Sequence, residues 1–203
     1  MGEESDISDG VLWCRVVSGD GDAFGAVFDR HHGRVLSHAL RVLGVPHQAD
    51  DVTAVVFYEA WRCRIRVRIV NDSVLPWLLV TTNNTIRNHS RQQQRYRHFL
   101  SQLPSPEAAP DVAEDVVDAA QRMSESSVIR RAFAQLRPLD RDILTLCVIE
   151  GLSTKVAGTT LGIADGTVKS RLHRAKSRLG ILFSEVSREH APGNQVMHGW
   201  RTQ

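Results

Sequence analysis

Between Gly151 and Leu179 the order of helix stops and starts leaves few folds open. Gly151-Leu152 closes one helix, Ser153 is placed to cap a short second helix ending near Leu161, and Gly162-Ile163 supplies a tight turn before a further helix over Asp165 to Lys176. In and just beyond that last helix Val168, Leu172, Ala175 and Leu179 recur at helical steps and predict a buried stripe. Thr167, Lys169, Ser170, Arg171, His173, Arg174 and Lys176 then face outward. A short helix, a glycine turn and a helix with a basic, hydroxyl-bearing outer face form a helix-turn-helix. Its second helix suits the major groove, where such side chains reach phosphates and base edges.

Helical periodicity also dominates upstream. Phe24, Val27, Phe28, Val35, Leu36, Ala39, Leu40 and Leu43 predict one long amphipathic helix over Asp22 to Leu43, stopped by Gly44-Val45-Pro46. Val52, Val55, Val56, Tyr58 and Trp61 predict a second over His47 to Trp61, with Asp50-Asp51 near its start, where acids favour a helix. Pro76 suits the first turn of a third that runs to about Phe99. Between them Cys63 to Val70 alternates arginine with apolar residues and ends at Asn71-Asp72-Ser73, which reads as an extended loop or a short strand. Pro104 to Met123 is acidic and proline-bearing, a linker composition. Beyond it Val128, Ile129, Ala132, Phe133 and Leu136 predict one helix, and Asp140, Ile143, Leu144 and Val148 another.

Charge is unevenly spread over the 203 residues, although the formal net charge is only +2. From Met1 to Trp61 four arginines stand against many acids, whereas Arg62 to His98 carries eight arginines with Asp72 as the sole acid. A second basic block comprises Lys169, Arg171, Arg174, Lys176 and Arg178. Two separated cationic surfaces suggest two contacts with one polyanion. Cys14, Cys63 and Cys147 are odd in number and far apart, which fits neither a disulfide framework nor a zinc site and points to a reducing compartment. No apolar run approaches the roughly 20 residues that span a bilayer, so no membrane insertion and a cytoplasmic location are expected. No phosphate loop, HExxH or nucleophile elbow occurs, and the adjacent His31 and His32 point to different sides of a helix; no enzyme, cofactor or metal is expected.

The run Leu136-Arg137-Pro138-Leu139-Asp140-Arg141-Asp142-Ile143-Leu144, then Glu150-Gly151-Leu152-Ser153, Leu161-Gly162-Ile163 and Gly166 to Ala175, resembles region 4 of sigma-70-type transcription factors of the extracytoplasmic function group. The N-terminal half resembles region 2 of the same group. Asp22-Ala23-Phe24, Ala49-Asp50-Asp51-Val52, Val56-Phe57, Ala60-Trp61, Pro76-Trp77-Leu78-Leu79, Asn83-Asn84 and Arg87-Asn88 fall in family order. Ala54 and Val55 stand where a glutamine and an acidic residue are usual, and Val156 where many relatives have glutamate.

The resemblance implies an all-α protein of two small helical domains joined by a flexible linker. Its parts are an N-terminal extension (1–21), region 2 (22–100), an acidic linker (101–126), the region 4 helix-turn-helix (127–183) and a C-terminal tail (184–203). It further implies a sigma factor that binds core RNA polymerase and promoter DNA, with an anti-sigma factor as a further partner. Asp50, Asp51, Phe57 and Trp61 are then core-facing or polymerase-facing. The loop from Cys63 to Val74 with Asn84 and Asn88 forms a pocket for a −10 base, and Arg64, Arg66, Arg68, Arg87, Arg91 and Arg95 hold phosphates. Thr167, Lys169, Ser170, Arg171, His173, Arg174 and Lys176 read the −35 duplex. The alternatives are a stand-alone helix-turn-helix regulator and a degenerate sigma relative acting as an interaction protein.

Overall fold

The structure is a computed structural model and describes residues 7–101 and 125–189. Among the described residues the architecture is all-α. The order is α1 (Asp9–Val17), α2 (Gly21–Leu43), α3 (Pro46–Arg62), α4 (Leu75–Ser101), α5 (Glu125–Ala134), α6 (Pro138–Leu144), α7 (Thr154–Leu161) and α8 (Asp165–Glu189). Nearly all of the expected acidic linker, and the tail from His190 onward with Pro192-Gly193, lie outside the described residues.

The first bundle forms where local signals stop and restart the chain. Asp20 caps α2 by accepting from the Ala23 N–H, and Gly44 ends it in the left-handed region at φ 74°, donating to the Leu40 carbonyl. Val45 is extended and Pro46 opens α3. Val27, Val35, Val56, Phe57 and Leu78 then meet in one core. The chain before Asp22, expected as an extension, instead contributes α1, which Ser8 caps and whose Leu12, Trp13 and Val16 are buried in that same core. Three apolar contacts in nine residues are too few for periodicity to reveal.

The arginine-rich stretch is neither a plain loop nor a strand. Arg64–Arg66 form a 3₁₀ turn, and Val70 and Ser73 then exchange backbone hydrogen bonds around Asn71 and Asp72, both at positive φ. Asn and Asp tolerate that conformation, the one a two-residue hairpin turn requires.

The second bundle has its own core of Phe133, Leu136, Leu144, Ala175 and Leu182. The expected single helix from Asp140 to Val148 is α6 followed by a π turn over Thr145–Ile149. Ser153 caps α7, and Gly162 closes it at φ 69°. A Cβ on Gly158 would lie 2.7 Å from the Ile163 carbonyl, so only glycine lets α7 come this close to the turn. α8 runs past the expected end because Leu182 and Val186 extend its buried stripe.

The two bundles pack against each other. Leu75 and Leu79 of α4 share one apolar cluster with Ile143, Leu146, Ala157 and Val168.

Candidate nucleic-acid interface

On α8 the outward face is as the helical period predicts: Thr167, Lys169, Ser170, His173, Arg174 and Lys176 are exposed. Lys169 pairs with Asp165 one turn back at 2.7 Å, and the Arg174 Nε donates to the Ser170 carbonyl at 3.3 Å. Arg171 is placed differently. It is half-buried and donates to Asp140 of α6 at 3.1 Å, so one carboxylate orients a guanidinium at the base of the helix. Beside it lies an open polar cavity of about 430 Å³ whose walls include Arg137, Arg171, Arg174 and Arg178. Four guanidiniums around one carboxylate form a cationic concavity fit for phosphate. Arg178, named only as part of the second basic block, and Arg137 are absent from the residues expected to read the duplex; Arg137 precedes α6, and only folding brings it beside α8.

On α4 the exposed stretch from Asn88 onward carries Asn88, Arg91 and Arg95 at steps of three and four, and these line a shallow cavity with Gln92. Asn84 is half-buried and accepts from Arg87 at 2.9 Å. Asn83, its neighbour in the motif, is buried and points away from this stripe. Arg66 and Arg68 are exposed, while Arg64 donates to the Trp61 carbonyl and lies over the Trp61 ring at 5.0 Å. Among the described residues no hydrogen bond or ion pair joins this arginine segment to Asn84 or Asn88.

What holds the arginine segment is α1. The Trp13 indole donates to the Arg64 carbonyl at 3.0 Å, and the Gly10 N–H donates to the Asp72 carboxylate at 3.1 Å. Asp9 accepts from the Val74 N–H at 2.9 Å, from Arg30 at 2.7 Å and from His31 at 2.6 Å. Burial opposes ionisation of Asp9, but the hydrogen bonds from His31, Val74 and Arg30 outweigh it and hold the carboxyl well below its ordinary value. His31 is thus a structural partner of Asp9, and among the described residues no cluster of three metal-ligating side chains occurs.

On α3, Asp50 and Asp51 are exposed. Phe57 is only 3% exposed and packs edge-on against Phe24 and Phe28, which makes it core, and Trp61 lies against Phe24 at 5.2 Å. The exposed face of the helix is instead Asp51, Ala54, Val55 and Tyr58, with Val55 45% and Tyr58 63% exposed. Val55 and Tyr58, one turn apart, leave a small apolar patch uncovered on this face. The period marks them apolar, but only the packing shows which side is covered.

Two helical bundles, one ending in a helix-turn-helix and each presenting arginines on an exposed helix, define a class of DNA-reading protein. Comparison with known proteins agrees: Sigma-70 region 2 matches residues 27–96, and Sigma-70, region 4 matches residues 126–179. The chain is 31% identical over 164 residues to the ECF RNA polymerase sigma factor SigL of Mycobacterium tuberculosis, covering 79% of this chain and 89% of that one. It is 32% identical over 180 residues to the RNA polymerase sigma factor NccH of Alcaligenes xylosoxydans xylosoxydans, covering 86% and 94%. The structure of CnrH in complex with the cytosolic domain of CnrY has a similar fold, with a TM-score of 0.54 at 24% identity, covering 87% of this chain and 97% of that one. The chain belongs to the extracytoplasmic function sigma factors of the sigma-70 family, and its role lies in transcription initiation. No helix among the described residues is long and apolar enough to cross a membrane.

Proposed function

We infer that this protein binds core RNA polymerase, directs it to promoters and assists strand opening, with no catalytic step of its own. The α8 face from Thr167 to Lys176, with Arg137 and Arg178 beside it, reads the −35 duplex. The Asn88, Arg91 and Arg95 stripe, together with Asn84, Arg87 and the Arg64 to Arg68 segment, takes the −10 strand. The Asp51, Val55 and Tyr58 face of α3, with Asp50 at its edge, docks on the polymerase. An anti-sigma factor binds the protein, as the sigma factor RpoE of Bartonella quintana forms a complex with the anti-sigma factor NepR. The working units are 22–100 with α1 added and 127–183 extended to the end of α8, joined by the acidic linker.

The observation that carries this reading is the pairing of two exposed cationic helices with an uncovered apolar face on a third. Its test is in vitro transcription with purified core polymerase on a genomic fragment library. The protein is expected to add a discrete set of start sites, and Arg171→Ala with Arg174→Ala is expected to abolish them while leaving polymerase binding intact. No new start sites, with or without polymerase binding, would refute it.

A further inference from the structure

One carboxylate sits among the arginines of α8, where the surrounding charge favours phosphate. Thr167, Arg171, Arg174 and Arg178 follow one another at steps of four, three and four, which puts them on one stripe of the helix, flanking the buried stripe of Val168 and Ala175. The three arginines line the polar cavity together with Arg137, the N-cap residue of α6. Asp140, in the first turn of α6, accepts from Arg171 Nη1 at 3.1 Å, and its side chain is only 18% exposed.

A concavity built only to hold phosphate gains nothing from that acid. Asp140 offsets one of the four guanidinium charges and repels any phosphate that approaches, so it lowers affinity for every sequence alike. An acid in the first turn of a helix does favour the helix dipole, but that role needs no arginine partner. What the contact changes is Arg171. Among the described residues Nη1 is the only nitrogen of this side chain with a hydrogen-bond partner, which leaves Nε and Nη2 as a planar two-donor edge on a guanidinium held in place. An unheld arginine swings to the nearest phosphate. A held one meets only what the duplex brings to it, and two donors in one plane match the O6 and N7 acceptors of guanine in the major groove.

We propose that Asp140 is a specificity-determining residue: it holds Arg171 by Nη1, keeps that guanidinium off the phosphate backbone and offers its Nε–Nη2 edge to one guanine of the −35 duplex. Asp140 acts through Arg171, as a positioning residue, and it lowers affinity for DNA in general while raising discrimination between sequences. The identity of the duplex rests on the promoter reading given above; the role of Asp140 rests on its contact with Arg171.

Two measurements on the full chain test this role. In the first, promoters recovered from the fragment library are randomised across the −35 region and transcribed with core polymerase. The parent is expected to enrich guanine at one position. Asp140→Ala and Arg171→Ala are each expected to cut that enrichment at least about fivefold at that position alone, the loss of one bidentate base contact, and Asp140→Glu to keep it. In the second, the full chain is bound to a mixed-sequence duplex without polymerase, from about 50 to 200 mM salt. Asp140→Ala is expected to bind more tightly than the parent and to steepen the slope of log K against log salt by about 0.9, the value of one added phosphate contact. Should Asp140→Ala lose helicity, Arg171→Lys takes its place: it keeps the charge without the two-donor edge, so the guanine preference is expected to vanish while the salt slope stays. An Asp140→Ala chain that lowers transcription evenly, with base preferences intact, acts through α6 alone and would overturn the proposal, as would an unchanged salt slope. A parent that yields no start sites would count against the promoter reading instead, and the salt slope of Asp140→Ala then still decides whether Asp140 keeps Arg171 off phosphate.

Discussion

Single side chains in this protein hold loops and seams as much as they face ligands. Asp9 is the clearest case: one carboxylate ties α1, α2 and the start of α4 through His31, Arg30 and the Val74 N–H. Because its folded pKa is depressed, its contribution is present above the ordinary value of 3.8 and is lost as pH falls below it. Asp9→Asn is expected to cost about 2–3 kcal/mol at neutral pH, read as the midpoint of denaturant unfolding. His38 works in the same direction for a different reason. Burial, only partly offset by the Asn83 hydrogen bond, pushes its pKa below the ordinary 6.5, so the unfolded chain takes up the proton first. Stability is therefore expected to fall as pH drops below about 6.5, and His38→Gln to flatten that dependence in unfolding experiments between pH 7.5 and 5.5.

At the scale of elements, α1 and α3 carry roles that their sequences only half disclose. α1 braces the arginine segment through the Trp13 to Arg64 hydrogen bond, so Trp13→Phe keeps the ring in the core but frees the backbone behind the arginines. That variant is expected to fold normally and to lose strand opening, read by permanganate footprinting, more than closed-complex binding. On α3, Tyr58→Asp and Val55→Asp alter exposed positions and are expected to abolish polymerase binding in pull-downs while leaving thermal unfolding within about 0.5 kcal/mol of the parent. Within the helix-turn-helix, Gly158→Ala places a methyl group against the Ile163 carbonyl and is expected to destabilise the second bundle by about 1–3 kcal/mol.

For the whole molecule, the question is how firmly two small bundles hold together. Leu75 and Leu79, which share a cluster with Ile143, Leu146, Ala157 and Val168, and the hydrogen bonds from Asn83 to Asp142 and Thr145 join them. The helices from α2 onward, the Ser153 cap and the helix-turn-helix were legible in the chain because glycine turns, capping hydroxyls and helical periods are local properties, whereas α1 was not. The exposed basic face of α8 followed from the same period, since a helix buried on one stripe must show the others. Tertiary structure alone decided that Arg171 turns to Asp140, that Phe57 belongs to the core, that α1 braces a distant loop and that Asn83 looks across a seam. Those outcomes depend on which surfaces meet after the helices form, and no window of sequence short enough to show a period contains both partners of such a contact.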